Sequence, residues 1–311
     1  MHYGQVKETA AHRQRRHSRG SAAWLRRWWD HEGPFATKTW GGASYLSLKI
    51  DMFSGKLFPK WVCTTGEVAS EWQDFVLKLS AHFGRQVVAQ RITDHAPYFR
   101  SSAINRVDTE HGITHVPAPS YTQELNGTAE RLFGTLLPMT RATMNHACTP
   151  PQSNGECMMA LCHVIDRTLH KTGGKLTRLE KWKGRLLPRQ RDHLRVWGCA
   201  AYVHCDYGKR GTIGTLGKLD NRAKLCLFVG YDPNGMGYRV AELPGFKLRT
   251  AVHVTFVETS FPCRTSPRRE LGDFMTPHQH ERHPTPATTE LSPSVGRPQR
   301  VREPSAIALQ N

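Results

Sequence analysis

The sequence predicts an α/β domain built on a mixed sheet, followed by a small β-rich module. Apolar residues between 24 and 131 switch repeatedly from the alternation of strands to the three- and four-residue steps of helices. Acidic residues stand at the ends of these runs, Asp94 directly after the strand-like Gln86–Thr93. Beyond residue 193, short alternating runs broken by glycine replace the helical spacing.

In order, WLRRWWDHEGPF (24–35) reads as a strand stopped by the Gly33-Pro34 turn. SYLSLKIDMFSGKLFPKWVCT (44–64) carries two apolar runs around Ser54-Gly55-Lys56 and predicts a hairpin. In EVASEWQDFVLKLSAHF (67–83), Val68, Trp72, Phe75, Val76, Leu79 and Phe83 make one helical face, ended by Gly84. The strand ending at Asp94, a short helix over 101–110, a strand Ile113–Val116 and a helix bearing Glu130 complete the order. Strands followed by alternating helices and strands give an α/β layer. Pro138 lies inside the last helix and removes a backbone hydrogen bond, so a shortened or kinked helix is expected. Asn126 and Gly127 are expected to shape the turn into that helix.

The formal charge of +17 and pI of about 9.8 point to a polyanionic partner, most simply nucleic acid. No run of about 18 apolar residues is present, which predicts no membrane span. The first twenty residues lack the apolar segment of a secretory signal. Eight cysteines without any C-x-x-C pair predict reduced, mostly buried thiols in a nuclear or cytoplasmic setting. The run RQRRHSR (13–19) suits either nuclear targeting or nucleic acid, or is an unstructured tail.

Asp94 and Glu130 are separated by 35 residues, at a strand end and on a nearby helix. Carboxylates so placed can share a hard divalent cation, which takes oxygen ligands. DHEGPF (30–35) resembles the Asp-x-x-Gly-Pro-Phe of retroviral and retrotransposon integrases, and YLSLKIDMFSGK (45–56) resembles their Tyr-Phe-x-x-Phe-Ile-Asp-Asp-Phe-Ser-Arg. YTQELNGTAERLFGTLL (121–137) is similar to Tyr-Thr-Pro-Gln-Gln-Asn-Gly-x-Ala-Glu-Arg. HLRVWGCAAYVH (193–204) and KLDNRAKLCLFVGYDPNGMGYRV (218–240) resemble the segment downstream of the core in copia-type elements. The resemblance, to a copia-type retrotransposon integrase, covers roughly 24–260.

It implies a ribonuclease-H-like, five-stranded mixed sheet with flanking helices, and Asp30, Asp94 and Glu130 as catalytic acids holding two Mg2+ or Mn2+ ions. Asp51, in a strand before Ser-Gly-Lys, competes with Asp30 for the first position; in the family block it is a second-strand residue and no ligand. Asp108 and Glu110 read as exposed helix charges. The chemistry implied is DNA integration: water trims the element's ends, and their 3′-hydroxyls then attack target DNA. Two metal ions about 4 Å apart serve such an in-line displacement. Asn126, Arg131, Lys218, Arg222 and Lys224 are the candidate nucleic-acid contacts, with Arg131 read equally well as a solvated helix residue. DNA and further copies of the chain are the implied partners.

The chain departs from the family pattern in three places. Asp94-His95-Ala96-Pro97-Tyr98-Phe99 stands where the family has Asp-Asn-Gly-Gly-Glu-Phe, Pro138 interrupts a helix, and no His/Cys zinc segment precedes the core. No zinc is expected, and a truncated, inactive relic that only binds nucleic acid is the alternative. The module is either a DNA-binding accessory or a structural extension. The expected organisation is a disordered basic tail (1–21), catalytic core (22–170), linker (171–192), β-rich module (193–260) and disordered Pro/Ser/Thr/Arg-rich linker (261–311).

Overall fold

The computed structural model describes residues 26–83, 88–118, 123–169, 175–185, 187, 191–204, 221–233, 235 and 237–264. The two tails and Lys218 fall outside them, apart from the start of the second tail up to residue 264.

Five strands form the first sheet: β1 (Arg26–Glu32), β2 (Tyr45–Asp51), β3 (Leu57–Val62), β4 (Gln90–Thr93) and β5 (Thr114–Pro117). Their spatial order is β3-β2-β1-β4-β5. β1, β2 and β3 pair antiparallel, while β4 joins β1 and β5 joins β4 in parallel. This is the five-stranded mixed sheet that the resemblance implies. The hairpin between β2 and β3 turns at Gly55, whose φ of +73° suits a residue without a Cβ. Asp51 Oδ2 accepts from the amide and hydroxyl of Ser54 at 2.7 and 2.5 Å and so fixes that turn.

Helices cover both faces. On one lie α1 (Val68–Phe83) and α2 (Ser102–Glu110); on the other lie α3 (Gln123–Ala147) and α4 (Asn154–Arg167). Strand alternation sends Trp28 to the α3 side and Trp29 to the α1 side. Trp29 stacks on Trp72 at 4.7 Å and meets Phe99 edge-on at 4.8 Å.

The α1 side also buries three ion pairs: Arg27 with Asp51, Lys49 with Glu71, and Arg91 with Asp108. Asp108 is therefore no exposed helix charge. It is 5% exposed, accepts from Trp72 Nε1 at 2.9 Å and takes the Arg91 guanidinium at 2.6 and 3.0 Å. Helical spacing places it one position after Val107, on the edge of the buried face. Glu110 is exposed as expected.

α3 runs unbroken through Pro138. The carbonyl four residues back, on which the proline ring would press, belongs to Gly134, and apart from the helix's own neighbouring backbone nothing lies within 4 Å of its Cβ position. The same helix begins at Gln123, so residues 126 and 127 lie within its first turns and do not form the turn before it. The segment expected as a linker holds a short helix, α5 (Arg178–Lys183). A capping box of Thr177 and Glu180 starts it, and buried Leu179 and Trp182 pack on Leu79.

The second sheet orders β6 (Ala200–His204), β7 (Ala223–Tyr231), β8 (Tyr238–Glu242), β9 (Lys247–Ala251) and β10 (Val254–Val257) as β10-β6-β7-β8-β9, all antiparallel. Cys226, Phe228 and Val240 pack with Ala147, Cys157 and Ala160, so α4 serves both cores. Arg239 holds Glu156 of α4 with two bonds of 2.7 Å. Gly198 has φ +79°, and a Cβ there would stand 2.3 Å from that of Ala147.

Removing one partner of a buried ion pair leaves an uncompensated charge. Asp108→Ala is expected to destabilise the core by about 3 kcal/mol or more, and Glu110→Ala by less than about 0.5 kcal/mol. Urea denaturation of the two variants checks this, and equal effects would refute the burial of Asp108.

Candidate active site

In the parallel pairing of β1 with β4, Arg26 stands level with Gln90 and Trp28 level with Ile92. The paired register ends there; Asp30 lies two residues further along β1, and Asp94 is the first residue past the end of β4. Period two puts Asp30 on the face of Trp28, and Asp94 on the face of Ile92. Both of those residues belong to the core beneath α3. Glu130 lies on α3 one turn before Phe133 and two before Leu137, which pack into that same core. Asp30 and Asp94 are partly buried and Glu130 is exposed.

Asp30 feels the charges of the other two acids. Burial pushes the Asp30 carboxyl up to about 6; a 2.7 Å bond from the His31 amide opposes this, and the charges of Asp94, Glu32 and Glu130 add to it. Among the described residues, no three His, Cys, Asp or Glu side chains already stand close enough to hold a metal ion. Like charges with no cation between them repel, and an all-oxygen set that feels its own charge in this way suits a hard divalent ion.

The turn after Asp94 is built without the family's glycines. Asp94 Oδ1 accepts from the Ala96 amide at 3.1 Å. Pro97 then opens a 3-10 turn, where its missing N–H costs nothing. Arg100 is held over this loop by His95, through Nδ1 at 2.7 Å and the carbonyl at 3.3 Å.

Two residues of this region were missed in the sequence. Glu32 shares the face of Asp30 two positions on, and burial raises its carboxyl too. Tyr98 is half-buried, and its phenol is pushed up to about 12, first by burial and then by the charges of Asp94 and Asp30. Strand alternation could have flagged Glu32; nothing local flagged Tyr98, whose position depends on the 3-10 turn.

Asp51, the competitor, faces the other side with Arg27 and Ser54. His31 also faces that side, packed on Trp29, Tyr98 and Phe99. Burial lowers its imidazole to about 3, and neither ring nitrogen has a hydrogen-bond partner among the described residues. Arg131 is exposed beside Glu130, and Arg222 is exposed ahead of β7. Lys224 Nζ lies 2.9 Å from Glu242 Oε2, and Arg249 Nε lies 2.6 Å from Oε1 of the same carboxylate. The side chain of Asn126 falls outside the described residues, as does Lys218.

Residues 199–269 match the retroviral polymerase SH3-like domain. The chain is 27% identical over 227 residues to the retrovirus-related Pol polyprotein from transposon TNT 1-94 of Nicotiana tabacum, covering 73% of this chain and 16% of that protein. It is 29% identical over 182 residues to the Pol polyprotein from transposon RE1 of Arabidopsis thaliana, covering 55% of this chain and 12% of that one.

The chain is a homologue of retrovirus-related Pol polyproteins from copia-type transposons.

It spans a small part of their length. Among solved structures, the HTLV-2 integrase catalytic core domain in complex with magnesium matches with a TM-score of 0.39 and 16% identity, over 50% of this chain and 95% of that one. A chain of the simian T-cell lymphotropic virus intasome matches with a TM-score of 0.42 and 17% identity, over 75% of this chain and 78% of that one. No helix among the described residues is long and apolar enough to cross a membrane.

Because the folded state raises the Asp30 carboxyl, its contribution to stability is full below about pH 4 and lost as pH rises through about 6. Asp30→Asn in EDTA is therefore expected to be more stable than the wild type near neutral pH, by on the order of 2 kcal/mol. The difference should close in acid. Denaturation curves at neutral and acid pH measure it, and equal stability at neutral pH would contradict the crowding of the acids.

Proposed function

We propose that the chain is the integrase segment of a retrotransposon Pol polyprotein, and that it joins element DNA to target DNA by metal-dependent phosphoryl transfer. The observation that supports this most directly is that Asp30 on β1 lies beside β4, whose end carries Asp94, and that Asp94 and Glu130 both act on the Asp30 carboxyl. Asp30, Asp94 and Glu130 are the residues that would hold two Mg2+ or Mn2+ ions. When bound, such ions activate the attacking hydroxyl and stabilise the leaving oxygen.

The protein's own part is positioning. The core under α3 fixes the acids against the strand ends, and the dry flank of Trp28 and Ile92 keeps their charge from being screened. Arg131, beside Glu130, and Arg100, braced by His95, supply cations for the DNA backbone at the rim. The SH3-like module extends the cationic surface through Arg222, Lys224 and Arg249, the last two sharing one acid, Glu242. Double-stranded DNA is the substrate in this reading, and self-association brings two element ends together.

Purified chain, a labelled duplex ending in the element's terminal sequence, and manganese or magnesium test the proposal. Products longer than the substrate are expected, with loss of at least about a hundredfold in Asp94→Asn, the scale of removing a charge-stabilising group. Folded protein that binds the duplex yet yields no longer product would identify a relic and refute the catalytic reading.

A further inference from the structure

At the end of α3 remote from Glu130, the helix closes at Ala147, and Cys148 turns back with φ +53°. Its amide and thiol both bond to the Asn145 carbonyl, at 3.2 and 3.5 Å, which holds an exposed sulfur against the helix end. The last turn of the β-rich module is laid on this same end. Arg264 Nε donates to the His146 carbonyl at 2.6 Å, and Nη2 meets His146 Nδ1 at 2.9 Å. The Phe261 ring stands edge-on to the His146 imidazole at 4.7 Å, and the Phe261 carbonyl accepts from the Arg264 amide at 2.9 Å. Cys263, half-buried, lies within this turn between its two anchors. Each thiol is thus within two residues of a group that contacts the other's segment.

We propose that Cys148 and Cys263 form a disulfide in the presence of a low-molecular-weight disulfide such as oxidised glutathione, stapling the end of α3 to the last turn of the module. The exposed Cys148 thiol gives its proton to solvent and its thiolate attacks one glutathione sulfur. That S–S bond breaks, a mixed disulfide forms and one glutathione leaves. Cys263 then gives its proton to solvent, attacks the Cys148 sulfur and expels the second glutathione. Two protein thiols are oxidised and one glutathione disulfide is reduced. Burial pushes the Cys263 thiol up to about 11, so the second step is the slower one and the adduct on Cys148 accumulates first. Cys157, Cys162, Cys199 and Cys226 are buried away from the oxidant. Cys63 is exposed in another part of the fold and acts as an internal control, taking glutathione without resolving it.

The test is a time course of the full chain with excess oxidised glutathione, read by mass spectrometry of unreduced peptides. The expected record is an early Cys148 adduct that gives way to a peptide joining Cys148 to Cys263, while the Cys63 adduct persists. Cys263→Ser should stop at the Cys148 adduct, and Cys148→Ser should leave Cys263 unmodified. A Cys148 adduct that persists in the wild type as long as the Cys63 adduct would overturn the proposal, as would Cys148 joined instead to Cys63 of a second copy.

Discussion

The structure depends on one backbone constraint, the parallel register of β1 and β4. Side chains on a strand alternate, so a slip of one residue would move Asp94 to the α1 side, away from Asp30. The register that places Trp28 beside Ile92 under α3 is the one that brings the two acids to the same end of the sheet. Burial of a tryptophan and an isoleucine is thus what aligns the carboxylates. α3 adds Glu130 because Phe133 and Leu137, one and two turns on, anchor the helix on the same apolar surface. The cost appears in the raised Asp30 carboxyl, which a bound cation would reverse.

The opposite face of the sheet does different work. Arg27, Lys49 and Arg91 are fully buried there, each matched to an acid from a neighbouring strand or helix. Lys49 also lies 4.7 Å from the Trp29 ring. Burial lowers the Lys49 ammonium to about 8 despite Glu71 beside it, so desolvation is only partly offset. Replacing such pairs by apolar residues is often neutral for stability, but their directional bonds allow few alternative packings of α1 and α2. The sheet is polar behind and apolar in front.

Much of this was legible in the chain. Strand and helix periods gave the five-stranded sheet, the hairpin at Gly55 and the amphipathic α1. Asp30 and Asp51 were separated by the family block alone; the structure adds that Asp51 stands opposite Arg27, one residue out of phase with Trp28. Other features were hidden. Asp108 looked like a surface charge because its partner, Arg91, is buried on β4, a tertiary fact that local spacing does not contain. Pro138 looked disruptive because the room beside Gly134 depends on what packs there. α5 is only six residues long and too short for a periodic signal, although its capping pair Thr177 and Glu180 was readable. Tyr98 entered the acid site through a 3-10 turn that Pro97 starts, where the family pattern suggested a glycine loop.

The central claim is that the β1–β4 register, with α3 above it, makes one cation site from Asp30, Asp94 and Glu130. Anomalous diffraction from crystals soaked in manganese tests it most directly. The account predicts manganese peaks bounded by these three carboxylates and their loss in Asp94→Asn. Manganese bound instead by Glu32 or Asp51, with the three acids left apart, would contradict it.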